Sequence, residues 1–212
     1  MTDPATLVEP MKGMDTVAIT VGYEGKNSTL MKAVEFTGVE NQAAALAQAS
    51  GSALADKRVV LCSSMMTTDP HPLPFMGGPV LFWKLNAEAS LQNMGIGSAI
   101  VKPCGIEGTY GRGGKQLLIG HDDTLLGEPI RLPSLRLPGR TQAPPCAGSR
   151  GGAISRADVA AVMLEAVVQR SSGLRFDLCV GGGPATTDLA ALLESTRYPW
   201  EKQQQTQPLP AH

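Results

Sequence analysis

The stretch "FWKLNAEASLQNMGIGSAIVKPCGI", residues 82–106, contains the pattern that decides the fold prediction. Its first part has helix-forming composition and ends at Gly95, as helices often do, because glycine accepts the left-handed conformation of a helix C-cap. Its second part, 97–103, is a short apolar run of the kind found in buried strands. A helix that leads into a buried strand is half of a parallel β-α-β unit.

The same pattern recurs along the chain. Further apolar runs of strand length lie at 15–21, 57–64 and 174–180. Helices are predicted at 6–13, 29–50, 77–95, 155–171 and 185–197. Strands that alternate with helices predict an α/β fold with a doubly wound parallel sheet, whose ligands bind beyond the carboxyl ends of the strands.

Composition excludes several classes of function. The chain has 212 residues and a formal net charge of -1, so it offers no electrostatic basis for binding nucleic acid or an anionic membrane. The four cysteines and three histidines have neither metal-ligand nor redox spacing, which predicts no metal site and a reducing compartment. No signal peptide or membrane span is recognisable, so we expect a soluble intracellular protein of the cytoplasm or plastid stroma.

Two glycine clusters fail as nucleotide-binding motifs. In "GTYGRGGKQ" (108–116), Thr109 stands where a P-loop needs its first glycine, and Gln116 replaces the final Ser or Thr. In "VGGGPAT" (180–186), the last glycine of the dinucleotide fingerprint is Thr186. Both clusters are interpreted as glycine-rich connections.

Polar residues at the predicted strand ends and on the helix of the opening stretch have two readings each. Ser63 and Ser64 follow a strand, where they either hydrogen-bond a turn or face a ligand. Lys84 lies in a helix whose first half looks buried. It either extends its ammonium to solvent and pairs with Glu88 at i+4, or hydrogen-bonds ligand hydroxyls at the mouth of the sheet.

Three segments in order give a resemblance to a known family. They are "VVLCSS" (59–64), the stretch 82–106, and "ISRADVAAVMLEAV" (154–167). The series resembles the atypical short-chain dehydrogenase/reductases, NAD(P)-binding oxidoreductases with a Rossmann fold, and in particular the plant and algal subgroup with a "WKxxAE" helix. The resemblance covers nearly all of residues 2–200 except 131–150.

This resemblance implies roles for single residues. Lys84 and Ser64 match the family's catalytic positions, and Lys84 is expected to contact the nicotinamide ribose of NADP or NAD. The residues expected to touch the cofactor are Gly22, Ser63, Ser64, Lys84, Pro103, Cys104, Gly105 and Ile106. The family tyrosine that donates a proton to the substrate is replaced by Val80, four residues before the lysine.

The passage before residue 22 looks like the family sequence that follows its third strand. We therefore expect one Rossmann-like domain over 1–200, N-terminally truncated, without the first strands and the glycine-rich phosphate loop of the family. An irregular insertion is expected at 131–150 and a disordered tail at 201–212. The run 15–21 becomes a sheet edge that self-associates or meets a partner.

Three hypotheses remain open from the sequence. The chain is an NAD(P)-dependent oxidoreductase acting on a small molecule, a non-catalytic binding or regulatory protein, or an incomplete gene model of the enzyme. The missing tyrosine favours the second hypothesis. A glycine-rich segment encoded in frame upstream of Met1 would favour the third.

Overall fold

The structure is a computed structural model that describes residues 3–51, 54–68, 79–107, 111, 114–126 and 153–198. The expectations for the insertion 131–150 and the tail 201–212 lie outside these residues. Within the described residues, no helix is both long enough and apolar enough to cross a membrane.

A five-stranded sheet forms the centre of the molecule, in the order β1-β2-β3-β7-β5. The first four of these strands run parallel, and β5 lies antiparallel to β7 at one edge. A short parallel pair, β4 with β6, stands apart from the sheet. The strands are β1 Thr16–Ile19, β2 Arg58–Cys62, β3 Gly97–Pro103, β4 Ile106–Glu107, β5 Gln116–Gly120, β6 Ile154–Ser155 and β7 Leu174–Gly181.

Six α-helices connect and flank these strands. They are α1 Ala5–Met11, α2 Ser28–Lys32, α3 Gly38–Ser50, α4 Pro79–Asn93, α5 Arg156–Val168 and α6 Leu189–Ser195. A π-helical turn, Ala33–Thr37, joins α2 to α3. The expected glycines end two of the helices, since Gly51 follows α3 with φ 60° and Gly95 follows α4 with φ 71°.

Alternate side chains of the central strands fill two cores. On one face, Val59, Leu61 and Ile100 pack with Leu46 of α3 and Leu91 of α4. On the other face, residues of β2, β3 and β7 pack against α5 and α6. The buried members there include Val60, Val101, Val162, Met163, Phe176, Leu178 and Leu193. The fold is therefore the predicted mixed α/β type with a mostly parallel central sheet.

Several boundaries predicted from sequence are wrong. The strands expected at 15–21 and 57–64 are shorter, because the chain leaves the sheet after Ile19 and after Cys62. The first half of α4 is not mostly buried, since Leu81 is buried but Phe82 is 48% exposed. The strand β5 is missing from the sequence prediction; it pairs antiparallel with β7, about 60 residues later in the chain.

The strand β1 lies at an edge of the sheet, as expected. Among the described residues it pairs only with β2. Ala18, in the middle of this strand, is exposed. On helix α5, which contacts β1, Leu164 and Val168 are 63% and 65% exposed.

Candidate functional site

The carboxyl ends of the four parallel strands meet at one edge of the sheet, which is where an α/β fold binds its ligands. Ser63 and Cys104 each extend the backbone ladder by one residue beyond a strand. The Ser63 amide donates to the Val101 carbonyl at 2.8 Å, and the Cys104 amide donates to the Leu178 carbonyl at 2.9 Å. The predicted site residues after β2 and β3 are therefore held next to one another at this carboxyl edge.

The simpler interpretation of Lys84, an i+4 pair with Glu88, is wrong. Its ammonium lies 2.8 Å from the carboxylate of Glu35, which the π-helical turn carries and which is almost completely buried. The other Glu35 oxygen accepts the backbone N–H of Tyr23, in the loop after β1. Glu35 thus joins the end of β1 to the predicted ligand-binding lysine.

Helix α4 is fixed in rotation by its contacts with the helical segment 28–50. The Trp83 ring stacks on Phe36 with 5.9 Å between ring centroids, and the Lys32 ammonium lies 5.2 Å from the Trp83 centroid. Further along, the Ser90 hydroxyl donates to Glu40 at 2.6 Å. These contacts set the direction in which Lys84 leaves the helix.

The two serines after β2 have different surroundings. Ser63 is buried, and its hydroxyl donates to the carboxylate of Glu88 in α4. Ser64 is half-buried, and within the described part of the chain its hydroxyl has no hydrogen-bond partner. Of the pair, Ser64 is therefore the one with a hydroxyl available to a ligand.

Glu88 belongs to a network of polar groups, running from the buried interior to the surface, that the sequence did not predict. Its second oxygen accepts Arg175 Nε at 2.8 Å, and the same guanidinium reaches Asp122 at 3.3 Å. Glu88 and Ser63 are both buried, so the hydrogen bonds and the ion pair satisfy groups that would otherwise be costly to bury.

Next to this chain, Lys102 is completely buried. Its ammonium lies 3.2 Å from Asp123, 3.3 Å from Asp177 and 3.2 Å from the Thr68 hydroxyl. Burial raises the pKa of Asp177 despite the nearby lysine. Burial also acts to raise the pKa of Asp123, but hydrogen bonding to Thr68 and the charge of Lys102 together outweigh burial and lower that pKa.

Asp123 connects the two loops that border the carboxyl edge. Its carboxylate accepts the backbone N–H groups of Met66 at 2.7 Å and Thr68 at 3.0 Å, in the loop after β2. Its own N–H donates to Asp177 at 2.8 Å. Asp123 adopts a left-handed φ of 63°, so the loop after β5 turns sharply to bring this side chain inward.

The loop Pro103–Ile106 lies at the end of β3, as expected. Gly105 accepts the backbone N–H of Ile154 at 2.9 Å, and Ile106 forms the short strand β4 beside β6. Ile106 is 42% exposed, so it offers apolar surface at this position. Gly22 lies beyond β1, where an added Cβ would stand 3.8 Å from a Glu35 oxygen.

Two cysteines far apart in sequence are neighbours in the structure. A hydrogen bond from Cys179 lowers the pKa of the Cys104 thiol, although burial opposes this shift. Cys179 also contacts the Met65 sulfur at 3.3 Å. Burial raises the pKa of the Cys62 thiol, and the charge of Lys84 offsets only part of this rise.

Within the described residues, no group of three or more acidic, cysteine or histidine side chains has a metal-binding arrangement.

The structure therefore brings the predicted residues to one edge of the sheet, where they contact two different buried carboxylates. Gly22 and Lys84 meet through Glu35, whereas Ser63 turns away to Glu88. Sequence reasoning missed Glu35, Glu88, Arg175 and the acids around Lys102. The sequence carried one signal for buried charges, which is the presence of Lys102 and Asp177 inside otherwise apolar strands.

Comparisons with known proteins place these features in a family context. The chain is 32% identical over 150 residues to sanguinarine reductase of Eschscholzia californica, covering 68% of this chain and 47% of that protein. It is 33% identical over 165 residues to an uncharacterised chloroplastic protein of Arabidopsis thaliana, covering 75% of this chain and 42% of that protein. The chain thus spans less than half the length of the curated relatives it matches. No family model matches it.

Solved structures share the fold at low sequence identity. A proposed NAD-dependent epimerase/dehydratase of Bacillus halodurans has a TM-score of 0.62 at 20% identity, covering 89% of this chain and 72% of that one. The oxidoreductase ylbE of Lactococcus lactis has a TM-score of 0.59 at 18% identity, covering 93% and 77%.

Proposed function

Because the chain is an atypical short-chain dehydrogenase/reductase-like protein with the Rossmann fold of NAD(P)-binding oxidoreductases, we propose that it binds a nicotinamide cofactor at the carboxyl edge of its sheet. The single observation that supports the proposal is the ion pair between Lys84 and the buried Glu35, which also accepts the Tyr23 amide just beyond β1. Reduction of a small molecule is the reaction that this cofactor supports, and the cofactor supplies the hydride.

Each predicted residue has a place in this proposal. Lys84 donates to the ribose hydroxyls, and the loop Pro103–Ile106 lies behind the nicotinamide ring, with Gly22 against the cofactor from the other side. Ser64 is the hydroxyl available to orient the substrate, because Ser63 is already bound to Glu88.

The proposal covers one half of a cofactor site. We propose that the described residues supply donors for ribose and apolar backing for the ring. The glycine-rich loop between β7 and α6 lacks the dinucleotide fingerprint for phosphates, because Thr186 stands at its last glycine. The curated relatives extend well beyond the matched region, so the activity of a whole protein of this kind is part of the proposal. We propose residues 1–200 as one domain, in the cytoplasm or, like the chloroplastic relative, in the plastid.

The test is to titrate the full chain with NADPH and with NADH and to measure binding by fluorescence and by calorimetry. We expect binding of at least one cofactor, weakened about tenfold by Lys84→Met because one charged hydrogen bond is lost. Lys115→Met is the control, since Lys115 is exposed beside β5. No binding by the unaltered chain at millimolar cofactor would exclude the proposed function.

A second candidate is a non-catalytic binding or regulatory protein. Val80, in place of the family tyrosine, favours it, because the usual proton donor is then absent. Cofactor binding without oxidation of NADPH in the presence of quinone, aldehyde or imine substrates would support this candidate. Genomic sequence upstream of Met1 distinguishes both candidates from an incomplete gene model, in which a glycine-rich turn is encoded in frame.

A further inference from the structure

Glu35 is a buried carboxylate to which the family resemblance assigns no role. Its side chain is only 2% exposed, and both of its oxygens are engaged, one by the Lys84 ammonium and the other by the Tyr23 amide. An ionised carboxylate is costly to bury without a partner. The pair therefore holds Lys84 in one orientation, since release of the lysine would leave a buried charge unpaired.

The local backbone is built around this contact. Glu35 lies in the π-helical turn Ala33–Thr37, where one wider turn interrupts a helical segment that runs from Ser28 to Ser50. The turn presents Glu35 to Lys84 and the next residue, Phe36, to Trp83. Single π-helical turns inside α-helices occur frequently at functional sites.

The charges of the pair determine which ligand groups suit it. Glu35 cancels the charge of Lys84, yet it uses only one of the three N–H donors of the ammonium. The lysine side chain is 15% exposed at the carboxyl edge, so its other donors can reach a ligand. An ammonium whose charge is balanced by a carboxylate, and which keeps N–H donors for a ligand, suits uncharged hydroxyl groups. Phosphate binds better to a positive charge that has no such counterion.

We propose that Glu35 is a positioning residue that aims the Lys84 ammonium at the vicinal hydroxyls of a ribose. This inference rests on the proposed function, that the carboxyl edge binds a nicotinamide cofactor. Position 80, where the family has the tyrosine that accompanies its lysine, holds valine and provides no polar neighbour. Glu35 supplies the orientation from a different element, across from α4.

The test is a double-mutant cycle in NADPH affinity, measured by fluorescence titration of the full chain. It compares the unaltered chain, Glu35→Gln, Lys84→Met and the double variant. We expect Glu35→Gln to weaken binding about tenfold, because the amide still accepts from Tyr23 but no longer anchors the ammonium. In the Lys84→Met background the same change should alter affinity less than about twofold, because Glu35 acts through Lys84.

Glu40→Gln is the matched control, since Glu40 also joins α3 to α4, through Ser90, but does not contact Lys84. We expect it to change affinity by less than about twofold. Near-ultraviolet circular dichroism reports whether each variant is folded. If Glu35→Gln does not fold, Glu35→Asp takes its place, and a several-fold loss is expected because the shorter carboxylate holds the ammonium less closely.

The outcomes separate the inference from the proposed function. Absence of NADPH binding by the unaltered chain overturns both. Binding that is unchanged in a folded Glu35 variant overturns the inference and leaves the proposed function standing. Independent, additive losses in the cycle also overturn it, because Glu35 would then contribute to binding by a route that does not involve Lys84.

Discussion

Two adjacent serines show how single residues with the same side chain take different roles. Ser63 belongs to the interior, because its hydroxyl satisfies the buried Glu88, whereas the Ser64 hydroxyl has no hydrogen-bond partner among the residues that the structure describes. The resemblance matched Ser64 to a catalytic position and expected both serines to touch the cofactor. Burial and hydrogen bonding distinguish the two serines. They indicate that Ser63 stabilises the fold and that Ser64 is the serine available for the proposed chemistry.

Replacement of each serine by alanine should separate these roles. Ser63→Ala is expected to lower the free energy of unfolding by about 1–2 kcal/mol, because Glu88 loses a buried partner. Ser64→Ala should change that free energy by less than about 0.5 kcal/mol. Urea unfolding followed by circular dichroism measures both. A larger loss of stability in Ser64→Ala than in Ser63→Ala would contradict the assignment.

At the scale of elements, the buried charges join segments that the sheet alone does not connect. Lys102 of β3 holds Asp123 of the loop after β5, and Asp123 in turn holds the loop after β2 through two backbone N–H groups. Both loops border the proposed site. We expect loss of this connection to loosen the site as well as the fold.

The acid dependence of stability should report on Asp123. Its pKa is lowered in the folded chain, so its contribution is present above the ordinary value of 3.8 and is lost as pH falls through the lower folded value. Asp177 has a raised pKa and acts in the opposite sense, so its contribution is lost as pH rises. Substitution of Asp123 should therefore matter most at neutral pH.

Asp123→Asn is expected to cost about 1–3 kcal/mol at pH 7, with a smaller difference from the unaltered chain below pH 4, in urea unfolding at each pH. Asp122→Asn is the matched control, because Asp122 is adjacent, also has positive φ, and is 60% exposed. It should change stability by less than about 0.5 kcal/mol. An equal difference for Asp123→Asn at both pH values would contradict the argument.

For the whole molecule, the most consequential feature is the edge strand β1, which within the described ranges pairs on one side only. Natural edge strands are usually protected by charge, by a bulge or by a covering element. Here Ala18, in the middle of the strand, is exposed, and α5 carries two further exposed apolar side chains, Leu164 and Val168. We expect this side of the molecule to associate with another chain.

Light scattering across a range of concentrations tests this expectation. The unaltered chain should show a mass that rises with concentration, and Ala18→Lys should reduce that rise, because a charge at an edge opposes strand pairing. Ala190→Lys, on the exposed face of α6, is the control and should behave as the unaltered chain does. A stable monomer at all concentrations would contradict the prediction.

Much of the fold could be predicted from sequence, because strands rich in Val, Ile and Leu and helices closed by Gly51 and Gly95 carry local signals. The strand β5 carried a weaker one, since it is ordered by a partner about 60 residues later in the chain. In the site, the position of Lys84 was predicted from the family resemblance. Its partner Glu35 was not, because only the tertiary contact across the π-helical turn brings the two together.

The order of strands in the sheet has a consequence for synthesis on the ribosome. The strands β1, β2 and β3 are neighbours in both sequence and space, so they can assemble as they emerge. The strand β7 is made long after β3 and β5, yet it lies between them. Until Asp177 arrives, Lys102 lacks one of its two buried carboxylate partners and β5 lacks its neighbour. The carboxyl edge is therefore completed only after β7 has been made, and a nascent chain released before Gly181 would carry Lys84 without a finished site.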